Sequence, residues 1–197
     1  SLTATALIVF YGIIWGTLKI KGQLRAVKDS KERLRMMVAK AFTFIGLVKP
    51  NFKDLLYILL SLSIGIVFNL LTLYVVAIVS GGEMHFVTSL DTYLMSQYWI
   101  VAPLSEELVF RGIHLGSFLK ISGRNHLLAL FGLVMSSFTF GWIHSDLLFQ
   151  LLIKTLGGFL LGCIYLLKWK RNFLAAVSCH IGFNIVGSVL YVTYPMF

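Results

Sequence analysis

The chain has 197 residues, 58% of them hydrophobic and 13% charged, with a mean hydropathy of +0.86. Soluble domains carry about 25% charged residues, so a water-soluble globule of this size is excluded, and lipid is expected to be the solvent for much of the surface. The net charge of +9 raises a nucleic-acid role, but ten of the 17 Lys and Arg fall between Lys19 and Lys53, and five more sit in two short connections (Lys120 and Arg124; Lys168, Lys170 and Arg171). That is the positive-inside pattern of a membrane protein, and no nucleic-acid partner is expected.

Six stretches approach the roughly 20 apolar residues a bilayer span needs: about 2–18, 55–79, 98–119, 127–144, 147–167 and 173–194. The first follows Ser1 directly. It lacks a basic start and an A-x-A cleavage site, so it does not read as a signal peptide. Placing the basic connections in the cytoplasm puts Ser1 and connection 80–97 outside and makes the spans alternate. Only Arg111 and Lys154 lie within apolar segments, and Lys154 is expected to snorkel or to pair with a neighbouring span.

Between the first two spans, Val27, Leu34, Val38, Ala41, Phe42 and Ile45 recur at helical spacing among Lys28, Lys31 and Arg35. Asp29 and Arg33 form an i,i+4 pair, and Pro50 closes the segment. This predicts a basic amphipathic helix on the inner membrane surface, held to anionic lipid. The run Gly157-Gly158 with Gly162 is a small-residue strip suited to close helix packing. The fold class is therefore all-α: a polytopic transmembrane bundle of about six spans with an interfacial helix. It forms one domain over residues 1–197, with the polar motifs gathered in about 98–194.

Glu106 and Glu107 are adjacent in the middle of the third candidate span. A charge at mid-bilayer costs at least ~2.5–3.5 kcal/mol, and such residues are usually functional. Glu107 and Arg111 share a helix face and can pair. Glu106 points about 100° away, into a low-dielectric environment of the kind in which a carboxylate becomes a competent general base. The bland alternative is a structural ion pair lacing helices together.

Phe140-x-x-x-His144 in the fourth span and His180-x-x-x-Asn184 in the sixth add two imidazoles and an amide. Glu106, His180 and Asn184 fall at similar depth, whereas His144 lies nearer the outer end of its span. This set suits peptide hydrolysis in two versions. Glu106 activates water and a His–Asn pair steadies the oxyanion, or Glu106, His144 and His180 ligate a divalent ion, with Zn²⁺ the best match. Residues alone do not choose between them. No HExxH helix or Gly-x-Ser-x-Gly elbow competes. Cys163 and Cys179 read as packed core residues, His114 as a neighbour of the site, and His85 and His126 as solvated.

Glu106-Glu107-x-x-x-Arg111, Phe140-x-x-x-His144 and His180-x-x-x-Asn184, in that order from about Pro103 to Gly187, resemble the CPBP family of intramembrane proteases. That family includes the type II CAAX prenyl endopeptidases and bacterial proteins linked to bacteriocin self-immunity and peptide maturation. The resemblance implies an eight-helix fold, with a span to be expected beyond each end of this chain. It also implies that Glu106 activates the attacking water with help from His144, that His180 and Asn184 stabilise the oxyanion or share a metal, and that Glu107 and Arg111 shape the site. The expected substrate is a small membrane-associated or lipidated peptide, and the expected location a bacterial plasma membrane. A non-catalytic scaffold or immunity protein that binds another membrane protein, and a proton-relay transporter, are the competing readings.

Overall fold

The computed structural model describes residues 30–46, 52–87, 95–145, 148–166 and 172–193. The expected span at 2–18, Val27 and Lys28 of the amphipathic stretch, the Asp29–Arg33 pair, Pro50 and the basic group Lys168, Lys170 and Arg171 lie outside what is described.

Helix α1, Ser30–Ile45, is the predicted amphipathic helix. Its apolar residues Leu34, Val38 and Phe42 are exposed on one stripe, as expected of a helix lying at an interface. Its end docks on the bundle, where the Tyr165 hydroxyl donates to Ile45 O at 3.3 Å and Phe173 N–H to Gly46 O at 3.4 Å. Helix α2, Phe52–Ser80, has 29 residues and is closed by Gly81 at φ +65°, a conformation that disfavours any side chain. Only Ser61, Gly65 and Val76 are buried along it, so most of its surface is left for lipid.

Residues 97–122 form one continuous helical rod, α3. It runs through a π turn at Gln97–Val101, an α-helix at Ala102–Glu107, a second π turn at Leu108–Leu115 and a last α-helix at Gly116–Ser122. A plain span was expected here. Pro103 has no N–H to give Trp99 O, and the first turn widens so that Ala102 N–H reaches Gln97 O. The second lies across the Glu107–Arg111 pair, and such π turns gather at functional sites.

Helix α4, His126–Ile143, starts on Asn125, whose side chain accepts from Leu127 N and Leu128 N at 3.0 and 3.2 Å, satisfying two otherwise orphaned donors. It packs along α5, Leu148–Leu166, through Gly158 and Gly162 of the predicted glycine strip, whereas Gly157 faces Phe183 and Phe68. A Cβ on Gly158 would lie 3.0 Å from Ser137 O, and one on Gly162 would run into the Leu133 side chain. Helix α6, Phe173–Val189, lies equally close against α2: a Cβ on Gly65 would strike the Cys179 carbonyl, and one on Gly182 would meet Leu62 O and Ile66 N. Hydrogen bonds from Ser178 Oγ to Ile58 O (2.9 Å) and Asn69 Nδ2 to Phe183 O (2.6 Å) tie the same two helices. Buried Phe110, Phe140, Leu161, Ile164, Ala175 and Cys179 fill the space between α3, α4, α5 and α6.

The sixth expected span stops short. α6 ends at Val189, and Leu190–Thr193 form a strand, β2, paired antiparallel with β1, Glu83–Phe86. Leu-Tyr-Val-Thr is a β-favouring run, and the connection after α2 supplies its partner. His85, expected to be solvated in a loop, therefore sits in β1 and stacks on Tyr191 at 5.5 Å. Among the described residues, Phe52–Ser80, His126–Ile143 and Leu148–Leu166 are long and apolar enough to cross a bilayer, and Phe173–Val189 is a shorter apolar helix. The protein is an all-α membrane bundle carrying one small β ribbon.

Candidate active site

Glu107 is fully buried and its predicted partner is in place: Arg111 Nη1 donates to Glu107 Oε1 at 3.1 Å. Arg111 is 1% exposed and spends its other arm on Gly158 O at 2.8 Å, with its guanidinium 4.8 Å from the centre of the Phe140 ring. Gly158 is a packing glycine in the sequence reading. Its carbonyl is also the anchor that fixes the guanidinium, a role no side-chain pattern announces.

Glu107 Oε1 also lies 2.8 Å from His180 Nδ1. A carboxylate paired with arginine can only accept, so Nδ1 of His180 carries the proton and donates. Its Nε2 then points at Glu106, 3.5 Å from Oε2. The same logic holds on the other side. His144 Nδ1 donates to Phe140 O at 2.7 Å, and its Nε2 lies 3.3 Å from Glu106 Oε2.

The expected depth mismatch of His144 is resolved by its place in the chain. It is the C-cap of α4 (φ −103°, ψ 10°), and its ring folds back over Phe140 at 4.4 Å. That posture satisfies a carbonyl left without a donor at the helix end and swings the imidazole toward Glu106.

Two imidazoles whose far nitrogens are pinned thus aim their Nε2 atoms at one carboxylate oxygen. In the neutral tautomers those atoms are acceptors, so three acceptors converge and the cluster must share a proton or a cation. The donor types and the pinned Nδ1 atoms are those of zinc-ligating histidines. The arrangement does not complete the set, however: among the described residues no three His, Cys, Asp or Glu side chains are disposed to hold an ion as they stand.

Asn184 is one helical turn from His180, as predicted, and one of its amide protons goes to Tyr98 O at 2.8 Å. The second proton is left for another acceptor. Glu106, His144, His180 and Asn184 all line one cavity of about 410 Å³, together with Tyr98, Gln150, Lys154 and the β2 residues Leu190, Tyr191 and Val192. Lys154, expected to snorkel or to pair with a neighbouring span, lies on the wall of this cavity. His114 is not on that wall; it packs against Phe118 at 5.5 Å.

The sequence profile described as type II CAAX prenyl endopeptidase Rce1-like matches residues 88–186, just over half of the chain and the stretch that holds all three motifs. The chain belongs to the Rce1-like type II CAAX prenyl endopeptidase family. No curated protein and no solved structure matched it.

Proposed function

We propose that this protein is a multi-pass endopeptidase of the bacterial plasma membrane. It cleaves a small membrane-associated or lipidated peptide with water activated directly by Glu106. The observation that carries the proposal is the Glu106 carboxylate within 3.3 and 3.5 Å of two imidazoles at the wall of a cavity among apolar helices.

Each residue has a distinct part. Glu106 accepts a proton from water as the oxygen attacks the scissile carbonyl carbon. The free amide proton of Asn184 donates to the developing oxyanion. When the tetrahedral intermediate collapses, the C–N bond breaks and the proton taken by Glu106 passes through His144 Nε2 to the leaving amine. His180 is locked by Glu107 with its Nε2 toward Glu106, so the Glu107–Arg111 pair acts as positioning machinery and does not touch the peptide. The basic α1 helix rests on anionic lipid at the inner surface.

Glu106→Gln keeps the shape of the side chain and removes the base. With a fluorogenic farnesylated peptide as probe, cleavage is expected to fall by about 10³-fold or more, with the protein's thermal stability retained. The same preparation should contain no stoichiometric divalent metal, and chelator should leave activity intact. Cleavage by Glu106→Gln at the wild-type rate would remove Glu106 from its role, and a metal lost in His144→Ala would replace direct activation by metal-bound water. Complementation of a null strain by both Glu106 and His180 variants would point to a scaffold instead.

A further inference from the structure

The ribbon formed by β1 and β2 stands at the cavity, and its register fixes which backbone groups are spoken for. The pairs are Glu83↔Thr193, Met84↔Val192, His85↔Tyr191 and Phe86↔Leu190, and Val87 N–H donates to Val189 O at 2.9 Å, which continues the same ladder. Antiparallel pairs alternate between those that exchange hydrogen bonds and those that do not. With 87/189 bonded, 85/191 and 83/193 are bonded too, whereas Leu190 and Val192 turn their N–H and C=O groups away from β1. The Leu190 N–H is consumed as the α6 cap, donating to Val186 O. Leu190 C=O, Val192 N–H and Val192 C=O remain, and no described residue pairs with them.

Those groups border the cavity. Leu190, Tyr191 and Val192 all line it, and no residue of β1 does. Successive side chains on a strand point to opposite faces, so three consecutive lining residues with none from β1 fit a strand whose outer edge is turned to the cavity. Glu106 and His144 lie on the same wall system.

We propose that β2 is the substrate-docking edge: the scissile segment of the peptide adds to Leu190–Thr193 as an extended strand and is carried past Glu106. A peptide bond is attacked in an extended chain, and a peptide drawn into an apolar cavity needs partners for its own backbone groups. An edge left unpaired among the described residues supplies them without reading side chains, so recognition along β2 depends on the peptide's backbone, and any extended, unprolinated segment is accepted. The inference rests on the proposed peptidase reading and names how that site holds its substrate.

The test separates the two. Val192→Pro removes an N–H that β1 does not use, and proline is tolerated at an edge when its nitrogen faces away from the ladder. Val192→Ala trims the side chain and keeps the N–H. In the non-cleaving Glu106→Gln protein, anisotropy of a fluorescent farnesylated peptide should show about five- to ten-fold weaker binding for Val192→Pro than for Val192→Ala, the loss expected of one backbone hydrogen bond.

The second arm uses the Glu106→Gln protein without any change to the ribbon. N-methylation walked along the probe should weaken binding at every second amide, because alternate amides face β2. Equal affinities for the two Val192 variants, insensitivity to N-methylation, or a probe that does not bind at all would each overturn strand addition. Cleavage of the probe by the Glu106→Gln protein would instead overturn the catalytic assignment.

Discussion

At the residue scale, the site is an arrangement of protons. Arg111 fixes Glu107, Glu107 fixes the tautomer of His180, and Phe140 O fixes that of His144. Glu107→Gln should therefore impair cleavage without touching the peptide. Its amide can present an N–H to His180 Nδ1, reversing the tautomer, and disturbing a histidine's orienting partner in this way costs about 10²–10⁴ in rate. The loss should appear in kcat with KM little changed.

Arg111→Met removes the charge partner of the buried Glu107 carboxylate and leaves it only the His180 N–H, which costs about 3–5 kcal/mol, read as a lower denaturation midpoint in detergent. Arg111→Lys should not restore it, because one ammonium cannot reproduce the fork that meets Glu107 and Gly158 O. The i,i+4 pairing of Glu107 with Arg111 was legible in the sequence, since spacing alone dictates it. The bonds to Phe140 O, Gly158 O and Tyr98 O were not, because every residue has a carbonyl and only the fold selects which ones serve.

At the scale of elements, two helix pairs approach as closely as backbones allow. Gly158 and Gly162 of the predicted strip make one of these contacts, readable because small residues recur at one helical spacing, whereas Gly157 does not. The α2–α6 contact was missed, because Gly65 and Gly182 stand alone in long apolar runs and only their facing carbonyls reveal the demand. Gly182→Leu should push α6 off α2 and reduce the yield of folded protein sharply. Gly157→Ala should be tolerated, since its Cβ would meet Phe183 and Phe68 at an ordinary 3.6 and 3.8 Å. Thermal stability of the two purified variants separates these outcomes, and equal stability would contradict the packing account. The β ribbon escaped the sequence reading for a related reason: a β-favouring tetrapeptide at the end of an apolar helix reads as more helix until its partner strand is known.

For the whole molecule, burial follows lipid and not water. Leu56, Leu71 and Ile78 on α2 are exposed while Glu107 and Arg111 are buried, the inverse of a soluble bundle. Composition gave this directly, because no arrangement of so apolar a chain hides its surface from water. Leu71→Arg, near the centre of α2, should raise the apparent insertion free energy of that helix by about 2.5–3.5 kcal/mol or more. A glycosylation-mapping assay would read this as lost insertion, and unchanged insertion would mean that α2 does not face lipid.

The central claim is that Glu106 is the meeting point of two imidazoles pinned from behind, and solid-state ¹⁵N NMR of histidine-labelled protein in lipid reads it directly. Resonances would be assigned through His144→Gln and His180→Gln. With both Nδ1 atoms protonated, Glu106→Gln should shift the Nε2 signals of His144 and His180 together and leave His85, His114 and His126 unmoved. Nε2 signals of both residues that stay in place when the carboxylate is removed would contradict the account.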